Sequence, residues 1–214
     1  MGHAPSCPGT TIDLRAQVLE MLGPTAAVAK LANCVFDEPL LVLLVAKGKD
    51  TDLARCLTPG RWVHAIGGAR FLFPQLVCAL EMTSCEPITD EQWGGTEYVG
   101  YEEMLAPHAI STRARVMTPW RPYNVSTWDD HRSYGCTADV AIAEGRDGTR
   151  AVLHWDQGSG GCRFRGDPPA IAAGDLLNVS CRLDWHPHAL SLALPPRTPI
   201  LDLWQASDVE VVHP

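Results

Sequence analysis

From Trp62 onward the chain is cut by Gly, Pro and Asp into short alternating or β-branched stretches, and this spacing restricts the fold more than any other feature. The stretches are Trp62 to Ile66, Gln75 to Met82, Arg113 to Met117, Tyr123 to Trp128, Thr137 to Ala143, Thr149 to Trp155, Leu176 to Leu183, Ala189 to Leu194 and Asp208 to Val212. Each reads as a strand. Arg146-Asp147-Gly148 lies between two of them and reads as a hairpin turn, because Asp-Gly suits the positive φ of tight hairpins. Many short strands so arranged predict an antiparallel β-barrel or sandwich.

The first sixty residues read differently. Thr11 is a suitable N-cap, Ile12, Leu14, Val18, Leu19 and Leu22 offer an apolar stripe, and Gly23-Pro24 is a stop, which predicts a helix over 12–22. An Ala-rich second helix is expected from Thr25 to Ala32. Cys34-Val35-Phe36 reads as the end of a buried strand entering Asp37-Glu38-Pro39, where the carboxylates are either functional groups past a strand end or a solvated turn. Thr51 can cap a short helix through Cys56, stopped by Thr58-Pro59-Gly60. The expected class is therefore α+β: a helical, α/β-like remnant over 1–60 and an antiparallel barrel or sandwich over 61–214.

A chain of 214 residues has room for one main domain and a short appended element. Its net charge of -8 disfavours duplex nucleic acid, whose phosphates need a Lys/Arg surface, and predicts no nucleic-acid partner; a basic peptide suits the charge better. The longest apolar run, Leu40 to Ala46, is too short to span a bilayer, so no membrane partner is expected. The start carries no basic and apolar leader pattern, and the eight cysteines are scattered with no C-x-x-C pair. Reduced thiols in the cytoplasm or nucleus and no structural zinc are the expectation. Trp185-His186-Pro187-His188 reads as a surface turn rather than a metal site. The Gly-rich stretch Asp156 to Gly161 reads as a hairpin turn, because Pro168-Pro169 follow too closely for the helix a cofactor loop must open. Seven tryptophans are available for a core or a ligand groove.

Three segments taken together resemble the protein arginine methyltransferases. The first is Phe36-Asp37-Glu38-Pro39 with Leu53-Ala54-Arg55-Cys56-Leu57-Thr58-Pro59-Gly60, similar to the acidic loop and the passage into the family's barrel. The second is Gly68 to Leu76 with Ala79-Leu80-Glu81, then Trp93 and Val99-Gly100-Tyr101. The third is Leu153-His154-Trp155-Asp156-Gln157 followed by Ala173-Gly174-Asp175-Leu176, similar to the family's Thr-His-Trp loop and late Gly-acid turn. A second register leaves Trp155 a mere barrel-strand aromatic.

The resemblance implies catalytic roles for Glu38 and His154 and substrate contacts for Asp37 and Trp155. Lys47 stands near the place of the family's second loop glutamate, and no Gly-rich cofactor loop precedes the matched region. An ammonium there repels a guanidinium that two carboxylates would hold. The implied protein is a truncated or pseudoenzyme module, inactive alone, binding no cofactor by itself and S-adenosyl-L-methionine only beside a complete cofactor domain. Its partner would be an arginine-rich peptide or a methyltransferase subunit. The alternative is a non-enzymatic β-sandwich or barrel that binds a peptide or small ligand.

Overall fold

The computed structural model describes residues 9–32, 40–46, 51–71, 77–89, 108–126, 132–142, 149–159, 166–185, 194 and 198–212. Asp37, Glu38 and Lys47 lie outside these residues, as do Trp93, Val99-Gly100-Tyr101, the Asp147-Gly148 turn and His186-Pro187-His188. The chain forms two compact units, Thr10–Ala109 and Ile110–Pro214, the latter grouped with the first nine residues.

The first unit holds β1 (Thr11–Gly23), β2 (Ala26–Leu31), β3 (Leu41–Ala46), α1 (Thr51–Arg55), β4 (Trp62–Phe71) and β5 (Cys78–Pro87). Its strands follow the order β1-β2-β3-β5-β4, and β4 pairs back onto β1 to close the barrel. All neighbours are antiparallel except β3 and β5. The alternation is strict: Ile12, Leu14, Ala16 and Val18 are fully buried, while Asp13, Arg15 and Gln17 between them face outward. Small inward residues such as Ala27, Ala29 and Ala65 suit the narrow interior of so few strands.

The second unit repeats this plan with β6 (Ala109–Val116), β7 (Arg121–Ser126), β8 (Arg132–Ile142), β9 (Arg150–Ser159), β10 (Leu176–Asp184) and β11 (Ile200–Leu203). A 3-10 turn at Ala206–Asp208 and β12 (Val209–Val212), which pairs with β10, complete it. Both β6 and β7 pair with β8, so together they play the part of β1. The order is β6-β8-β9-β11-β10, with β10 returning to β6; β9 and β11 are parallel, as β3 and β5 are in the first unit. Each unit thus has the strand order of the OB-type Greek-key barrel.

The barrel expectation holds, and the short helix at Thr51 is α1. The amino-terminal helices do not form: residues 11–23 and 26–31 are β1 and β2. The buried set alternates with period 2 as far as Val18, and the apolar stripe read as helical borrowed Leu19 and Leu22, each of which is exposed at a register shift. Gly23-Pro24 is part of a hairpin connection between strands. The boundary between units falls at Ala109/Ile110, not near 60, because the residues up to Ala46 supply three of the five strands that the first barrel needs to close and β4 and β5 supply the other two. Two cores therefore fit where one main domain was expected. The Gly-rich stretch begins as the end of β9, with Gly158 at φ 128, rather than as a turn.

Candidate functional site

The outer surface of the second barrel gathers polar and aromatic side chains that lie far apart in sequence. Register places Arg121 opposite Thr137, Thr137 opposite His154, His154 opposite Asp202 and Asp202 opposite Arg182. This row crosses five strands, a span of roughly 20 Å at strand spacing. Their inward neighbours, Leu153, Leu201 and Leu183, are fully buried, which fixes the row on the outside.

Hydrogen bonds lock its centre. His154 Nδ1 lies 2.8 Å from Asp202 Oδ1, and its Nε2 lies 2.7 Å from Tyr123 Oη. A carboxylate only accepts, so Nδ1 carries a proton, and in the neutral ring Nε2 then accepts from the tyrosine hydroxyl. The Tyr123 and His154 rings are stacked with centroids 5.8 Å apart and 22° between planes. Tyr123 reaches this position across Gly135: a Cβ there would collide with the Tyr123 hydroxyl and lie 2.5 Å from the Trp155 carbonyl oxygen.

At one end of the row the Arg182 guanidinium lies over the Trp204 ring, 3.9 Å from its centroid. This is a cation–π contact, and Arg182 and Trp204 are both half-buried. The other end carries Arg121, paired at 2.8 Å with Asp139. All ten cations of residues 110–214 are arginines, set against twelve carboxylates. The near balance leaves most of the chain's negative charge on the first unit. Guanidinium groups stack and bind anions in forked geometry, which lysine does not do.

A Tyr–His–Asp chain has the order of a relay that activates a hydroxyl nucleophile, but the electrostatics oppose it here. Burial first, then the charges of Asp156 and Asp202, raises Tyr123 above the ordinary phenol range, so the hydroxyl keeps its proton. Tyr123 is a fixed aromatic donor, oriented by His154.

The first barrel carries a smaller version of this face. Lys30, Gln17 and Trp62 stand opposite one another on β2, β1 and β4, with Lys30 Nζ 6.0 Å from the Trp62 ring centroid. Nearby on β4, His64 is held by Asp13 at 2.7 Å and Glu86 at 2.9 Å.

Of the residues singled out in the sequence, His154 lies on the outer face. Trp155 does not: it points into the second barrel, is 5% exposed, and donates from Nε1 to the Gly166 carbonyl at 3.2 Å. Asp37 and Glu38 are outside the described residues. Tyr123, Asp202, Arg182 and Trp204 were not foreseen as a group. The alternation in Leu201-Asp202-Leu203-Trp204 is the one local sign that Asp202 and Trp204 share a face.

No family model and no curated protein matches this chain. Among solved structures, it is similar to a deletion mutant of the single-stranded DNA binding protein from Thermus aquaticus, at 11% identity and a TM-score of 0.47, covering 96% of this chain and 95% of that one. The wild-type protein from the same organism is similar at 10% identity and a TM-score of 0.43, over 96% and 93% of the two chains.

The arginine-methyltransferase reading of function is corrected on the fold, which closes two barrels where the resemblance implied the end of a cofactor domain followed by one barrel. Residues assigned to a cofactor-domain remnant are strands of a closed barrel, and His154 is engaged by Tyr123 and Asp202. The exclusion of nucleic acid is corrected as well, because it was drawn from net charge alone. Net charge is a whole-chain sum that bears on duplex binding, whereas single strands are held by local stacking and a local groove.

Proposed function

We propose that this chain is a non-enzymatic binding module of two OB-type barrels whose ligand is single-stranded nucleic acid. The observation that carries the proposal is the outer row of the second barrel, where Tyr123, His154 and Trp204 offer aromatic faces and Arg121 and Arg182 offer guanidinium groups. It crosses β8 and β9, the counterparts of β2 and β3, which form the face that such barrels use for oligonucleotides and oligosaccharides.

Stacking is worth about 1–3 kcal/mol per base and tolerates any sequence, because every base has a π-face. Arginine adds attraction for phosphate without demanding a strongly basic surface. The orienting bonds at His154 hold the Tyr123 ring in place before a ligand arrives, which lowers the entropy lost on binding.

Titration of intrinsic tryptophan fluorescence with an oligodeoxythymidylate, a duplex of the same length and a neutral oligosaccharide tests the reading. Saturable quenching by the single strand, with weaker binding to the duplex, is expected. Binding of the oligosaccharide alone, or no binding of the single strand at micromolar concentration, overturns it.

A further inference from the structure

Cys56 and Cys85 meet in the first unit, beside the strand pair that carries His64 and Glu86. Cys56 follows the last turn of α1, and Cys85 lies on β5 opposite the fully buried Ala65. The Cys56 thiol donates to the Cys85 backbone carbonyl at 3.2 Å, which brings the two cysteines side by side. Both are free and half-buried, whereas Cys78 and Cys136 are buried in the barrel interiors.

We propose that Cys56 and Cys85 are a redox pair that a hydroperoxide converts to a disulfide, fastening α1 to β5. The Cys56 thiol releases its proton to solvent, the thiolate attacks one peroxide oxygen, the O–O bond breaks, and the departing hydroxide or alkoxide takes a proton back from solvent, leaving a Cys56 sulfenic acid and water or an alcohol. The Cys85 sulfur then attacks the Cys56 sulfur. Its S–H proton leaves with the sulfenic hydroxyl as a second water, and an S–S bond remains. The two thiols are oxidised by two electrons in all and the peroxide is reduced by the same two.

The order of events follows from the surroundings. Burial, with Cys56 and Glu86 adding to it, pushes the Cys85 thiol up to about 12, so Cys85 is a poor first nucleophile at neutral pH. Once Cys56 is a neutral sulfenic acid its thiolate charge no longer holds the Cys85 proton, and Cys85 serves as the resolving thiol. Because α1 links β3 to β4 and also packs against β5, the bond would tie a short, exposed helix to a strand of the closed barrel.

The test treats the intact protein with hydrogen peroxide, alkylates the remaining thiols, and maps peptides with and without reductant. A reducible Cys56–Cys85 peptide is expected, together with a higher midpoint of thermal unfolding that dithiothreitol reverses. In Cys85→Ser, a dimedone-reactive sulfenic acid should accumulate on Cys56. Full alkylation of both residues after peroxide, or over-oxidation of Cys56 in the native chain without pairing, overturns the proposal, and neither result depends on a variant folding.

Discussion

The Tyr123 hydroxyl lies 2.7 Å from His154 Nε2 while the two rings stack at 5.8 Å, so one side chain is both donor to and platform beside the other. Their strands, β7 and β9, are separated by β8, and Gly135 on that strand leaves the room through which the tyrosine reaches. Tyr123→Ala should weaken binding of a single-stranded oligonucleotide by about 5- to 150-fold, the loss of one stacking contact. Tyr123→Phe keeps the ring and should stay within about threefold. Fluorescence titration of the two variants separates ring from hydroxyl.

Arg182 over Trp204 supplies the cation at one end of the row. If it contacts a phosphate, Arg182→Gln should lower the slope of log affinity against log salt by about 0.7 for a single strand. Titrations at several salt concentrations check this; an unchanged slope with reduced affinity would assign Arg182 to stacking alone.

Trp155 belongs to the interior. Trp155→Ala should destabilise the second barrel by about 3–5 kcal/mol, a large part of a typical domain's stability. Urea unfolding measures it. Trp155→Phe, which retains most of the volume, should leave oligonucleotide affinity unchanged.

His108 is buried in the first unit, where its Nδ1 accepts the Arg15 backbone N–H at 3.3 Å. Burial chiefly, with Arg15 adding to it, lowers its pKa from 6.5 to about 3. Above pH 6.5 neither folded nor unfolded chain protonates this ring, and its contribution is constant. Between pH 6.5 and 3 the unfolded chain takes a proton that the folded chain refuses, so stability falls with falling pH, by at most about 1.4 kcal/mol per unit from this group. His108→Gln should flatten that part of the profile, as measured by chemical unfolding across pH 4–8.

Gly67 sits at the register shift between β4 and β5, where a Cβ would collide with the Glu81 carbonyl and lie 2.9 Å from the Met82 Cα. Gly67→Ala should cost about 1–3 kcal/mol, since backbone must move. Gly68→Ala meets nothing within 4 Å and is the matched control in a thermal melt.

How much was legible in the sequence differs along the chain. From Trp62 onward, strand lengths and turn residues reflect local chemistry, and most of the expected strands form, although β11 was missed because Ile200–Leu203 is short and follows a Pro-rich stretch. In the first sixty residues the same apolar positions fit two periods. Only pairing with β4 on one side and β2 on the other decides for period 2, since a lone segment has no partner to satisfy its backbone groups.

The sequence by itself determined the β-rich class from Trp62 onward, the short helix at Thr51 and most of the later strands. Tertiary structure decided the division into two barrels, the burial of Trp155 and the meeting of Tyr123, His154, Asp202, Arg182 and Trp204. The reason is physical: alternation tells which face a side chain takes, but which strands lie side by side depends on closing a barrel. That closure sets β9 next to β11 across more than forty residues of chain.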